Sequence, residues 1–312
     1  MSAGSALLVV NKADRTLSII DPEIGKEVAA VPVNGVTGHE VIASPDGKTA
    51  YVPIYGDSGV GKPGTDGSNV VVVDIAAGNV TGSVDFGHGV RPHCVQMGPK
   101  DGMLYVSAEL DDAIAIVDPK TLKVIGSVPT SQPESHMFVL TQDGRKAYTA
   151  NVGPGTVSVL DLGAGKTLKV IPISARTQRI SISVDDKLVF TCDQTKPRLA
   201  VIDTATDDVR GWIDLPGLGY GSAPTPDGEW LVVTLPALNQ VAVVDLQSRR
   251  VAHTIGVPES PQAVVLRPDG MTAYVSSDAA AKVSCIRTTD WKVDGHIEAG
   301  RGADGLAWAN RR

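Results

Sequence analysis

Three of the six histidines, His39, His93 and His136, stand at matching places in three successive copies of a repeated segment. Counting back from the turn that marks each copy gives one residue per copy: His39, His93, His136, Gln178, Tyr220, Gln262 and, closing the series, Asp304. Neutral imidazoles presented side by side are ligands for a divalent metal, and three of them leave positions free for water or substrate, as catalytic metal sites do. The spacing therefore predicts a three-histidine cluster holding a divalent metal ion of unspecified identity. His88, His253 and His296 fall elsewhere in their copies.

Activating water or abstracting a proton requires a further acid or base. Glu109 in YVSAELDD lies close in register to His93, Glu40 follows His39, and Glu134 precedes His136. Each is a candidate general base or a partner that orients a histidine; the competing role for each is a solvated surface carboxylate. Arg91, Arg176, Arg179 and Arg301 lie in or beside the same segments, and cations around a mouth favour a small anionic substrate such as a carboxylate. Gln178, Gln262 and Asp304 add polar lining. Tyr55 and Tyr220 are placed to close the pocket's edge or to donate a phenolic proton.

The repeat itself must position these residues. The turns SPDG, PKDG, TQDG, SVDD, TPDG and RPDG end at Gly47, Gly102, Gly144, Asp186, Gly228 and Gly270; the first interval is 55 residues and each later one is 42. A run of β-branched residues closing on Asp21, Asp74, Asp118, Asp161, Asp203, Asp245 and Arg287 counts seven copies. Every copy reads as four short strands rich in Val, Ile, Thr and Tyr, broken by Gly, Pro, Asn and Asp, with no helical period. A period of about 40 to 45 residues with four strands per unit is a propeller blade. The predicted fold is all-β, a seven-bladed β-propeller of four-stranded antiparallel blades in one domain over residues 1–312. Residues 6–33 supply only three strands, so the spare C-terminal strand GLAWANR is expected to complete the N-terminal blade and close the ring.

Composition excludes some function classes. A net charge of −7 argues against general nucleic-acid binding, and no apolar run reaches the length of a membrane span. Strand-like sequence begins within a few residues of Met1, which gives no signal peptide and an expected cytoplasmic location. The three cysteines, Cys94, Cys192 and Cys285, fall in different blades and are expected to be reduced and buried. The long first interval comes from GDSGVGKPGTDGS, residues 56–68, between two strands on the mouth side. It reads as a mobile lid or as a disordered excursion; GVGKPG lacks the spacing and the following helix of a phosphate-binding loop.

The segments HEVIASPDGKTAYVPI, PQAVVLRPDGMTAYVSS and TVSVLDL follow the pattern P-x-x-I-A-x-SPDGK-x-x-YV-x-N … V-x-VID. Over its whole length the chain thus resembles the YVTN-repeat family of seven-bladed propellers. The resemblance implies the fold; it spans lactonase-like and lyase enzymes, surface-layer-type proteins and binding scaffolds, so it does not choose an activity. A histidine after the proline of such repeats also occurs as filler bonded to loop backbone, the alternative to a ligand role. The leading expectation is a metal-dependent hydrolase or lyase acting on a small anionic molecule at the channel mouth. The alternatives are a metal-free acid–base enzyme of the lactonase or lactonising type that the resemblance implies, a metal-dependent oxidoreductase, and a scaffold binding protein or peptide.

Overall fold

The recurring turn is built by its own side chains. In SPDG, Asp46 accepts the Ser44 hydroxyl at 2.6 Å and the Lys48 amide at 3.2 Å, and Gly47 takes φ 67°, open to glycine without steric cost. Thr141, Asp143 and Arg145 repeat the arrangement, as do Ser183, Asp185 and Lys187. In the degenerate SVDD copy Asp186 takes the left-handed place at φ 59°. Each turn joins the first two strands of a blade and fixes their register.

In the computed structural model, which describes residues 4–310, these hairpins assemble 28 strands into seven four-stranded antiparallel sheets. The N-terminal blade contains strands Ala303–Ala309, Ala6–Asn11, Thr16–Asp21 and Lys26–Pro32, with Ala6 opposite Ala309 and Leu7 opposite Trp308. The expected closure therefore forms. The closing strand starts two residues ahead of GLAWANR, and so carries Asp304 into the ring.

Apolar faces of neighbouring blades interdigitate to form the core. Leu8, Val10, Leu17 and Ile19 meet Val52, Ile54, Val71 and Val73 across one such junction, all of them buried. Each contributes about 1.5–3 kcal/mol of transfer free energy. Among the described residues no helix is long and apolar enough to cross a membrane.

The innermost strands line the axis: Ala303–Ala309, Ile42–Ala43, Pro92–Met97, Ser135–Leu140, Ile180–Ile182, Ser222–Pro224 and Pro261–Leu266. All seven matched positions lie within them or up to three residues ahead, at one end of the channel.

Candidate functional site

Bulges aim the ring residues. The register slips by one residue between Pro92 and Val95, Ser135 and Met137, and Pro261 and Val264, and again where Ala303–Leu306 faces Val9–Asn11. Those slips contain His93, His136, Gln262 and Asp304, and a bulge re-aims a side chain out of the pleat. Two residues ahead of each, Arg91, Glu134, Ser260 and Gly302 all hold positive φ. Hydroxyls on the second strands tie this backbone down: Ser107 accepts the Cys94 amide and donates to the His136 carbonyl, at 2.9 and 2.8 Å. Thr234 and Ser276 donate likewise to the carbonyls of Gln262 and Asp304.

The three histidines come together. Ring centroids of His39 and His93 lie 5.3 Å apart and those of His93 and His136 3.6 Å apart, with Tyr55 within 5.0–5.4 Å of all three. Glu109, buried at the start of a short 3-10 turn, is the hub beneath them. It accepts the Tyr55 hydroxyl at 2.9 Å and His136 Nδ1 at 3.0 Å, and Arg91 Nη1 stands 3.6 Å away. Burial lowers the pKa of each imidazole: His39 falls to about 3, His93 lies well below the ordinary value, and His136 is lowered although Glu109 opposes the shift. All three are therefore neutral near pH 7. With Nδ1–H of His136 donated to Glu109, its Nε2 is the free base, 3.4 Å from the Gln178 amide, which also donates to the Tyr220 hydroxyl at 3.2 Å.

A second hub spans the channel. Buried Arg179 reaches Glu40 at 2.6 Å and Asp304 at 3.0 Å, and its guanidinium lies 4.7 Å from the Tyr220 ring centroid. The small residues Gly221, Ala263 and Gly305 next in the ring make room; a Cβ on Gly305 would come 2.9 Å from Glu40 Oε2. Lys12 joins through Asp304 at 3.1 Å and Asp278 at 2.7 Å. Burial drives the Glu40 carboxyl up to about 7 against the pull of Arg179, whereas at Asp304 Arg179 and Lys12 outweigh burial and hold it low. A 490 Å³ pocket opens to solvent at this mouth, walled by Lys12, Thr37, half-buried His39, Asp278 and the insertion residues Gly56–Gly59.

Several expectations need correction. The His93 and His136 rings lie tilted against each other with planes 34° apart, and among the described residues no group of three or more His, Cys, Asp and Glu is placed to hold a metal ion. His93 Nδ1 is buried without a partner, but as arranged the donor set does not fit a metal. Arg91 and Arg179 do not present free cations to a substrate: Arg91 is engaged by Asp66 at 2.6 Å and by the Lys62 carbonyl, and Arg179 by two carboxylates. Arg176 is exposed, and exposed Arg301 pairs with Asp14. Glu134 does not join the histidines; its carboxylate lodges between Gly61 and Gly153, where a Cβ on either would come within 2.5–2.6 Å. Gln262 turns back to Ser260. The insertion is held: Arg91 grips Asp66 and Lys62, Lys62 donates to Gly59 at 2.9 Å, and Thr65 donates to Asp57 at 2.6 Å.

Sequence reasoning missed Lys12 and Asp278, which lie outside the matched position, and the second-strand hydroxyls. The hydroxyls had a signal in the Ser or Thr of YVSA, VVTL and YVSS, at one matched place in three of the repeats.

No protein-family profile matches the chain. It is similar to the seven-bladed beta-propeller protein Rv1057 of Mycobacterium tuberculosis, 28% identical over 278 residues, covering 85% of this chain and 64% of that protein. It is also similar to the uncharacterized protein YncE of Salmonella typhi, 26% identical over 227 residues, covering 68% of this chain and 64% of that protein. The matched region thus spans a little under two thirds of these relatives' length. Among solved structures, hydrazine synthase of Kuenenia stuttgartiensis superposes with a TM-score of 0.73 at 19% identity, covering 86% of this chain and 89% of that one. Dihydro-heme d1 dehydrogenase NirN does so with a TM-score of 0.72 at 14% identity, covering 96% and 74%. At these identities the two structures establish the shared propeller fold alone.

Proposed function

We propose that the chain is a metal-free acid–base enzyme acting on a small polar organic molecule at the histidine-lined mouth, with ring opening of a lactone as the reaction to test. The observation that carries this is the Glu109–His136 pair, which fixes a neutral imidazole with Nε2 as a base beside the amide of Gln178. In the proposed reaction a substrate carbonyl displaces the long Gln178 contact and accepts from the Gln178 amide and the Tyr220 hydroxyl. His136 Nε2 takes a proton from water, whose oxygen attacks the carbonyl carbon. The ester C–O bond then breaks, and the proton passes from Nε2 to the departing alkoxide. Burying this many polar groups is costly compared with apolar packing, which favours a site over a structural role.

The charge expected of the substrate changes on this reading. With Arg91 and Arg179 each bound to carboxylates, a neutral ester is a better fit than a carboxylate. The test is a pH-stat assay of a panel of small lactones with wild type and His136→Gln. Turnover that drops at least a hundredfold in the variant supports the reading; undiminished turnover, or none by wild type, counts against it.

A second reading, a divalent metal held by His39, His93 and His136, is favoured by the unpartnered His93 Nδ1 alone. It requires the His93 and His136 rings to turn from their tilted contact. Elemental analysis of untagged protein purified without chelators decides it, since less than about 0.1 metal per chain rejects a resident ion with the tight binding such sites show.

A further inference from the structure

On the far side of the Arg179–Glu40 pair the channel widens into a second cavity of 450 Å³, and no residue of the histidine cluster lines it. Its walls combine apolar side chains, Met97, Met137, Ile180, Val264 and Leu306 among them, with the polar Gln96 and Ser222, and Arg179 and Glu40 close its inner end. Two residues that line it carry buried N–H donors lacking any partner in the protein, Arg179 Nε and Trp308 Nε1. Trp308 is held in place by a stacked contact with Tyr274, 5.8 Å between centroids. The inner end has no free charge to offer, because Arg179 is matched by Asp304 and Lys12 by Asp278.

A cavity of this size lies in the range of small-molecule sites, where apolar walls supply affinity and a few polar groups fix orientation. A buried donor without an acceptor costs free energy that a bound acceptor recovers. A charged ligand, by contrast, loses its hydration without finding an unpaired counter-charge. We infer that the cavity binds a small uncharged amphipathic molecule, an aliphatic body ending in a carbonyl oxygen that accepts from the Trp308 N–H. This site is separate from the histidine mouth and does not depend on the reaction proposed there.

The test is isothermal titration of the full chain with octanamide and with octylammonium. Octanamide is expected to bind saturably, and octylammonium at least tenfold more weakly, because it brings a charge and no acceptor. Met97→Trp and Ala43→Phe, which fill the cavity from half-buried wall positions, should each abolish octanamide binding with a native melting curve. Trp308→Phe, which keeps the ring and removes the N–H, should weaken it about five- to tenfold. No saturable octanamide binding, equal binding of octylammonium, or full binding by the folded filled variants overturns the proposal.

Discussion

Glu109 and His136 face one another from adjacent blades, with Oε2 3.0 Å from Nδ1, and the same carboxylate takes the Tyr55 hydroxyl at 2.9 Å. A carboxylate in this place selects the imidazole tautomer that leaves Nε2 bare. Replacing it with an amide of the same shape allows an N–H to face Nδ1, which reverses the tautomer. Glu109→Gln is therefore expected to cut turnover about 10²- to 10⁴-fold and to move the proton of His136 to Nε2. Nitrogen-15 chemical shifts of His136 provide the independent check; an unchanged tautomer removes Glu109 from the mechanism.

The insertion is expected to respond to a distant-looking change. Asp66 holds Arg91 Nε at 2.6 Å, and the same guanidinium holds the Lys62 carbonyl at 2.7 Å. Asp66→Asn weakens this latch while Arg91 keeps its contact with Glu109. Amide exchange at Lys62 and Thr65 should accelerate about tenfold, with the melting temperature of the ring changed by no more than about 2 °C, as local opening predicts. Equal exchange in both proteins indicates that the hairpin's own bonds hold it.

The ring and the meeting of His39, His93 and His136 were legible because a repeat converts a position in sequence into a direction in space. Equivalent residues of adjacent blades must meet at one mouth. The details were not legible for a local reason: the register slips at His93 and His136 re-aim their rings, and residue types alone do not carry the position of a bulge. Arg91 and Arg179 misled for another reason. Sequence shows a cation near the mouth but not the carboxylate that neutralises it, and Asp304 meets Arg179 from 125 residues away.

Stability should fall on mild acidification. Unfolded imidazoles titrate near 6.5, whereas in the fold burial holds His39 to about 3 and keeps His93 and His136 below the ordinary value. The unfolded chain then binds more protons below pH 6.5, so these groups contribute stability that is lost as pH falls through that value. Glu40 acts in the opposite sense: burial raises it from 4.5 to about 7 despite Arg179, so its contribution is present below pH 4.5 and lost as pH rises through 7. Three imidazoles outweigh one carboxyl, leaving a net uptake of protons on unfolding just below pH 6.5. Urea unfolding at pH 5, 6 and 7 checks this; a free energy that declines from pH 5 to 7 shows Glu40 to dominate.

Removing the closing strand should damage the site and the fold together. Residues Ala303–Ala309 form the innermost strand of the N-terminal blade, and Asp304 joins Arg179 and Lys12 within the channel. Its backbone also receives the Ser276 hydroxyl from the neighbouring blade. Truncation after Gly302 exposes an unpaired edge along Ala6–Asn11, opens apolar surface at Leu7 and Val9, and leaves Arg179 with Glu40 alone. Because every blade is held by two neighbours, the loss is expected to spread around the ring, abolishing cooperative melting instead of lowering it by a few degrees. Adding residues 303–312 back as a separate peptide should restore a cooperative transition in a concentration-dependent way. A truncated chain that melts cooperatively within about 5 °C of the full protein shows instead that six blades and a three-stranded remnant suffice.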